Sequence, residues 1–385
     1  MLRNQIAAFA AAILLCGVAH AQSSAPDVIE TPATHLAILD YASGAVLDCR
    51  ECDVPMPPAS MSKLMTMLIV SDKLKSGAIK LDTQFPVSEN AWRHGAQSDG
   101  SHMFLEINSQ VAVRDLIRGV VIVSANDACI VLAEGIAGSE EAFVDLMNRK
   151  AHDLGLASAR FRNSTGLPDP DHVISAADLA RLAAVIIRDH PDLYRIYAER
   201  SLTYNGKTQD NRNPLLGKVA GADGVKTGHT SKSGYGMIGS AERNGQRRII
   251  VFNGLPSMAA RAAEAQRLMN SAFFDFNVAT VAPKGKVIGQ ANVWMGSKKT
   301  VGLISPAQIQ IAAHRSVATG LKAAIVYDGP LSAPIKQGDK VAALVIEGPG
   351  YARQSYPLVA AEKVQRSNVF ARAAAGLGVL FGGGS

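Results

Sequence analysis

Three short strings in this 385-residue chain carry residue types that could do chemistry together. Ser60-Met61-Ser62-Lys63 places a hydroxyl and an amine three residues apart, Ser124-Ala125-Asn126 follows 64 residues later, and Lys226-Thr227-Gly228 about a hundred after that. A serine hydroxyl is a weak nucleophile until a base takes its proton. A lysine amine can be that base if burial and a neighbouring cation bring its pKa down from ~10.4 toward the working pH. On this reading Ser60 is the nucleophile, Lys63 the base and Lys226 the neighbouring cation. Ser124 shuttles the proton to a leaving amine, and Asn126 orients Lys63 and the substrate amide. Backbone N–H groups of Ser60 and His229 are the candidate oxyanion donors. Each string also has decoys: Ser88-Glu89-Asn90, Lys75-Ser76-Gly77 and Lys232-Ser233-Gly234.

Context separates the strings from the decoys. Ser60–Leu74 reads as a buried helix opened by Ala59-Ser60, with apolar residues at Met61, Leu64, Met65, Leu68 and Ile69, so Ser60 and Lys63 share a face near its positive end. Val113–Ile136 reads as two helices hinged near Ser124, a break from which side chains can point into a cleft. Further helices are expected at Glu140–Leu154, Ala176–Arg188 and Ala259–Phe273, and strands at His35–Leu47 (a hairpin), Tyr235–Ala241 and Arg247–Phe252. Lys226 leads into these last strands, in an edge-strand setting. Lys75 stands at a helix end, and Lys232 in a turn.

Composition bounds the rest. With 48% apolar and 19% charged residues the chain is neither disordered nor collagenous, and ~150 residues per domain gives two or three units. The net charge of +6 is spread along the chain, which excludes a nucleic-acid binder built on concentrated Lys and Arg. The nine His are scattered, no H-E-x-x-H, G-x-S-x-G or phosphate-binding glycine loop occurs, and neither a metal nor a cofactor is expected.

The ends are distinctive. Arg3, the apolar run Ile6–Val18 and Ala19-His20-Ala21 form a secretory signal pattern, so 1–21 are expected to be removed and the mature chain to work outside the cytoplasm. Of the remaining cysteines, Cys129 reads as core. Cys49 and Cys52 read as a small disulfide loop between strands, with free thiols and redox or metal chemistry as the alternatives. Composition shifts near Asn277, and 278–362 reads as a separate all-β domain without helix. Val369–Phe381 has one apolar helical face, with Lys363, Arg366 and Arg372 near or within it. It is too short to span a bilayer, and is read as a surface-lying amphipathic helix in a tail of 363–385.

The three strings in this order resemble those of the penicillin-binding proteins and serine β-lactamases. The surrounding text is more similar to the low-molecular-mass penicillin-binding proteins that are D-alanyl-D-alanine carboxypeptidases. It includes Pro58–Thr66, Asn126-Asp127-Ala128-Cys129, Ser201–Gly206, Asp210–Asn213 and Gly224–Thr230. The resemblance covers the chain from about Val28 to its end, and Ala125 stands where the family often has glycine. It implies an α/β (α+β) transpeptidase-like domain over 22–277, with an antiparallel sheet flanked by helices and a small β sandwich after it. It also implies Ser60 as acyl-enzyme nucleophile, Lys63 as proton acceptor and Ser124 as second serine. Lys226, Thr227, Gly228 and His229 would bind a terminal D-alanine carboxylate, helped by Arg212 and Arg261. The implied substrate is a peptidoglycan stem peptide ending in D-Ala-D-Ala, with β-lactams as covalent inhibitors, at the periplasmic face of a bacterial inner membrane. The rivals are an endopeptidase on the same fold, a β-lactamase (Glu199 being a near miss for its water-activating Glu) and a non-catalytic wall-binding protein.

Overall fold

The computed structural model describes residues 29–97, 100–349 and 351–368. Both the signal-like segment 1–21 and the amphipathic stretch Val369–Phe381 lie outside the described residues.

Elements of the first domain follow in chain order. Strands β1 (His35–Asp40) and β2 (Val46–Arg50) form a hairpin, followed by a 3-10 turn (Ala59–Ser62) that runs into α1 (Lys63–Lys75). Then come α2 (Val113–Ile122), α3 (Asn126–Ala137), α4 (Glu140–Asp153) and α5 (Ala176–Asp189). A small hairpin, β3 (Ser201–Tyr204) and β4 (Lys207–Asp210), precedes β5 (Ala222–Thr230), β6 (Gly234–Arg243), β7 (Gln246–Leu255) and α6 (Met258–Phe274).

The main sheet has the order β2-β1-β7-β6-β5, and every neighbouring pair is antiparallel. Period-two alternation divides its residues between two cores. Leu36, Ile38, Met237, Ile250 and Phe252 pack with Ala265, Leu268 and Met269 of α6. Ala37, Leu39, Ile238, Ile249 and Val251 join the larger core with Leu179, Leu182 and Ala183 of α5. A sheet covered on both faces needs apolar side chains in both phases, which is why these strands read as runs rather than as clean alternations.

Helix α1 is buried from Lys63 through Ser71. Leu64, Met65, Met67, Leu68, Ile69 and Val70 surround it with apolar contact, and its hydroxyls are matched internally. Thr66 Oγ1 donates to the Ser164 carbonyl (2.7 Å) and Ser71 Oγ to that of Met67 (2.6 Å). The expected helix starting at Ser60 is corrected at its first turn: Ser60 lies in the tighter 3-10 segment, and α-helical pairing begins at Lys63. Other helix and strand expectations agree with the fold to within a few residues.

The second domain is β-rich. A two-stranded sheet (Phe276–Ala282 with Ile309–His314) and a six-stranded one share a core that includes Ala282, Ile311, Val301, Leu303, Leu344 and Leu358. Its one departure from the expectation of no helix is the four-residue turn Arg315–Ala318. Cys49 and Cys52 are joined as a disulfide at the end of β2, and Cys129 is a buried free thiol.

Candidate active site

A cleft of about 630 Å³ opens between the 3-10 turn, the α2–α3 break and the edge strand β5. Ser60, Ser124, Asn126, Arg212, Thr227, Gly228, His229 and Arg261 line it. Lys63 and Lys226 lie beneath this lining, 0% and 4% exposed. All ten residues singled out in the sequence therefore converge on one place. The decoys do not. Lys75 donates to the Asp189 carbonyl at an exposed helix end (3.1 Å), and Asn90 bonds Glu134 on the surface (3.0 Å). Lys232 sits just outside, on a neighbouring cavity.

Two backbone positions aim the serines. Ala59, immediately before Ser60, has φ 49°, and Ser124 has φ 64°. Non-glycine residues in the left-handed region cost of order 1 kcal/mol each, and such strain is held only where the surroundings over-determine it. Here the surroundings are close-packed backbone. A Cβ on Gly166 (φ +81°) would come within 2.1 Å of the Ala59 carbonyl oxygen, and one on Gly228 within 2.8 Å of that of Pro58. Only glycines let the 163–168 loop and β5 close on the nucleophile turn from both sides.

The Lys63 ammonium group is held by three neutral partners. Nζ donates to Ser60 Oγ (2.8 Å), to Asn126 Oδ1 (2.7 Å) and to the Thr165 carbonyl. Burial without an adjacent counter-charge disfavours the charged form and pulls its pKa down to about 8, against the opposing fields of Cys129, Asp127 and Glu140. The sequence reading assigned part of this fall to the cation Lys226. Burial is instead its cause, and the repulsion between the two lysines shows on the other partner. Lys226 is pushed well below the usual lysine range, first by burial and then by Lys63, Arg212 and Arg261.

One acid, Asp210, lines the cleft, and among the described residues it forms no ion pair with the cations there. Lys226 Nζ donates only to the Thr227 carbonyl (3.0 Å). Arg261, placed by the first turn of α6 behind the Ser257 cap, lies over the Tyr235 ring (5.5 Å to its centroid), and Tyr235 stacks on His229 (3.8 Å). The buried Arg261 Nε has no hydrogen-bond partner, and burial lowers the guanidinium pKa. Among the described residues, neither Arg212 nor Arg261 nor Lys226 has an ion-pair partner. Three cations beside a threonine hydroxyl and no paired acid make a receptor for a small carboxylate.

Sequence reasoning missed the groups that support this arrangement. Asn163 Oδ1 accepts from the N–H groups of Thr165 (3.2 Å) and Gly166 (2.7 Å), which presents the Thr165 carbonyl to Lys63. The Asn-Ser-Thr-Gly-Leu-Pro run marks a turn, and that was its only signal. Asp127, 1% exposed, accepts from the backbone N–H groups of Met103 (3.1 Å), Leu105 (3.3 Å) and Ala128 (2.9 Å), fixing the strand of loop whose Gly100 and Ser101 line the cleft. Burial raises its pKa. Glu199, the near miss for a water-activating Glu, pairs with Arg118 (2.7 Å) and does not line the cleft. Cys49, Cys52 and Asp53 are the one grouping of possible metal donors among the described residues, and its sulfurs are bonded to each other.

Comparison with known proteins agrees over both domains. Residues 20–255 match the family model described as D-alanyl-D-alanine carboxypeptidase, and 276–366 the C-terminal domain of penicillin-binding protein 5. The chain is 35% identical over 377 residues to the D-alanyl-D-alanine carboxypeptidase DacC of Escherichia coli, covering 97% of this chain and 94% of that one. It superposes on penicillin-binding protein 5 from Haemophilus influenzae with a TM-score of 0.77 at 36% identity, over 88% of this chain and all of the other. The ampicillin-bound form of penicillin-binding protein D2 from Listeria monocytogenes matches with a TM-score of 0.58 at 28% identity, over 64% of this chain and 98% of that one.

Proposed function

The chain belongs to the D-alanyl-D-alanine carboxypeptidase family of serine peptidases, and from that premise we propose that Ser60 carries its reaction. The observation behind the assignment is the 2.8 Å contact between Ser60 Oγ and a buried Lys63 amine whose pKa burial has lowered to about 8. Neutral Lys63 takes the hydroxyl proton as Oγ attacks the penultimate D-alanine carbonyl. The N–H groups of Ser60 and His229 face the developing oxyanion. Ser124 then passes the proton to the leaving amine, the terminal D-alanine departs, and water hydrolyses the acyl-enzyme. Asn126 holds Lys63 and the substrate amide.

Lys226, Thr227, Gly228, His229, Arg212 and Arg261 bind the terminal carboxylate. That anion supplies the missing counter-charge, so binding raises the pKa of Lys226 and keeps it protonated. The arrangement thereby prefers a leaving residue with a free carboxylate to one whose carboxyl is amidated. A β-lactam, which carries a carboxylate beside its reactive carbonyl, acylates the same serine. Deacylation runs without Glu199, whose pairing with Arg118 removes the feature that suggested a β-lactamase.

This reading includes export by residues 1–21, a catalytic unit over 22–277, a β domain over 278–362 that spaces it from the membrane, and surface attachment at the periplasmic face through 363–385. Among the described residues no helix is long and apolar enough to cross a membrane. The test is D-alanine release from a synthetic peptide ending in Lys-D-Ala-D-Ala, using residues 22–385 and Ser60→Ala. Release by the parent and none by the variant is expected; equal rates would remove Ser60 from the mechanism.

A further inference from the structure

The six-stranded sheet of the β domain is open along one side. Its strands run in the order Lys322–Val326, Lys340–Gly348, Tyr351–Ala360, Thr300–Ile304, Val287–Trp294 and Leu331–Ser332. At one edge, the two-residue strand Leu331–Ser332 presents little backbone for further pairing. At the other, Lys322–Val326 pairs antiparallel with Lys340–Gly348 in an unbroken register, from Lys322 opposite Glu347 to Val326 opposite Ala343. No strand lies on its far side, and the backbone groups pointing that way have no partner among the described residues. Folded proteins guard such edges with a proline, a bulge or a central charge. This strand has no proline and no bulge, and its one charge is at its first residue.

The side chains divide by phase. Leu321, Ile325 and Tyr327 pack against the core of the β domain. Lys322, Ala324, Val326 and Asp328, spaced two residues apart, are all exposed, Val326 by 49%. One face of the edge therefore carries an apolar pair bracketed by a cation and an anion. Neither Lys322 nor Asp328 has an ion-pair partner among the described residues. Glu347, across the ladder from Lys322, pairs with Arg353 instead (3.4 Å).

That order of charges is self-complementary. Two copies laid edge to edge, antiparallel about a two-fold axis at Ile325, set Lys322 opposite Asp328 of the second copy and Ala324 opposite its Val326. Outward side chains then meet outward side chains, and the two-fold makes the Lys–Asp pair twice. A slip of one residue would set outward side chains against inward ones. A slip of two would leave both charges without a partner. Charge and pleat therefore select the same register.

We propose that the strand Lys322–Val326 joins two copies of this chain by an antiparallel edge-to-edge pairing centred on Ile325, held in register by Lys322 and Asp328 of each copy. The backbone groups left open along the edge supply the hydrogen bonds, and Ala324 and Val326 of the two copies cover one another. The joint is one strand wide, well under the ~1,600 Å² of a standard stable interface. It therefore makes a reversible dimer, with a dissociation constant of about 10–100 µM. The pairing does not depend on the reaction assigned to Ser60, because the edge belongs wholly to the β domain.

The test is sedimentation equilibrium of the full chain over about 5 to 500 µM, across which the parent is expected to pass from monomer to dimer. Lys322→Glu sets Glu against Asp at both contacts, and Asp328→Lys sets Lys against Lys at both. Each variant alone should dimerise about tenfold or more weakly than the parent. Mixed one to one, the two variants should form a heterodimer about as tight as the parent dimer, because one contact becomes Glu–Lys and the other Lys–Asp. Recovery in the mixture also separates a lost contact from a misfolded variant. Both positions are exposed and outside the cleft, so the thermal midpoint and the rate of acylation by a fluorescent penicillin should match the parent's in each variant. A parent that stays monomeric throughout the range, a dimer that neither reversal weakens, or a mixture no tighter than its components overturns the proposal.

Discussion

If Lys63 is the base, the rate of Ser60 acylation must follow the fraction of Lys63 that is neutral, and the structure sets where that fraction changes. Burial moves its pKa from 10.5 to about 8. At pH 7 a lysine of pKa 8 is neutral in about 9% of molecules, and an ordinary one in about 0.03%, so burial raises the competent population about 300-fold. The sign is fixed: acylation climbs about tenfold per pH unit below 7, bends near 8 and levels above 9. The assay is the second-order rate of acylation by a fluorescent penicillin, followed from pH 6 to 10. In Lys63→Arg the guanidinium keeps its proton throughout, so acylation should fall by at least about a thousandfold with no rising limb. Glu140→Gln supplies a finer check. Its side chain still accepts from Ser164 N and Oγ, as Glu140 does at 2.9 and 2.6 Å, but removes one of the charges that hold the Lys63 pKa up. The limb should move to lower pH, and a half-unit fall would raise acylation at pH 7 by about threefold. A flat profile, a midpoint above 10, or an upward shift in Glu140→Gln would refute the assignment.

Other perturbations test the scaffold and the carboxylate receptor. Gly166→Ala places a methyl against the Ala59 carbonyl at a positive φ, and should cost about 2 kcal/mol or more of stability and most acylation, read by thermal unfolding and penicillin labelling. Asp127→Asn leaves one oxygen to serve three backbone donors; a loss of about 1–3 kcal/mol and a raised KM are expected, and an unchanged midpoint would show that the 100–105 loop holds itself. Arg212→Ala should cut kcat/KM about 10- to 100-fold for a peptide with a free C-terminal carboxylate and little for its amide, so equal losses on both would remove Arg212 from carboxylate binding. Replacing Cys49 and Cys52 by serine opens a loop of about four residues, for which chain entropy gives about 2 kcal/mol, measurable as a lowered urea midpoint.

The chemistry was legible in the sequence because it is local where it matters most. Ser60 and Lys63 are one turn apart, so their contact follows from the helix start alone. The apolar periodicities of α1, α5 and α6, and the strand runs around Met237 and Ile250, are likewise written in neighbouring residues. The order of the three strings then suggested that distant segments share a site. What the sequence could not supply were partners that have no side-chain signature. The Thr165 carbonyl that holds Lys63 and the N–H groups gathered by Asp127 are consequences of where loops lie.

The same limit explains the misplaced cause of the Lys63 pKa. Residue spacing can put a second lysine nearby, but desolvation depends on everything packed around the amine, and that packing is assembled from α1, α3 and the 163–168 loop. In the β domain, the strand Tyr351–Ala360 went unread because Pro357 and its mixed polar residues blur the alternation, and pairing with Lys340–Gly348 decides it. Local composition thus determined the reacting groups and the periodic elements. The tertiary fold decided their protonation, the strained aim of Ser60 and Ser124, and the shape of the cavities, because burial and hydrogen-bond partners are properties of contacts between segments far apart in the chain.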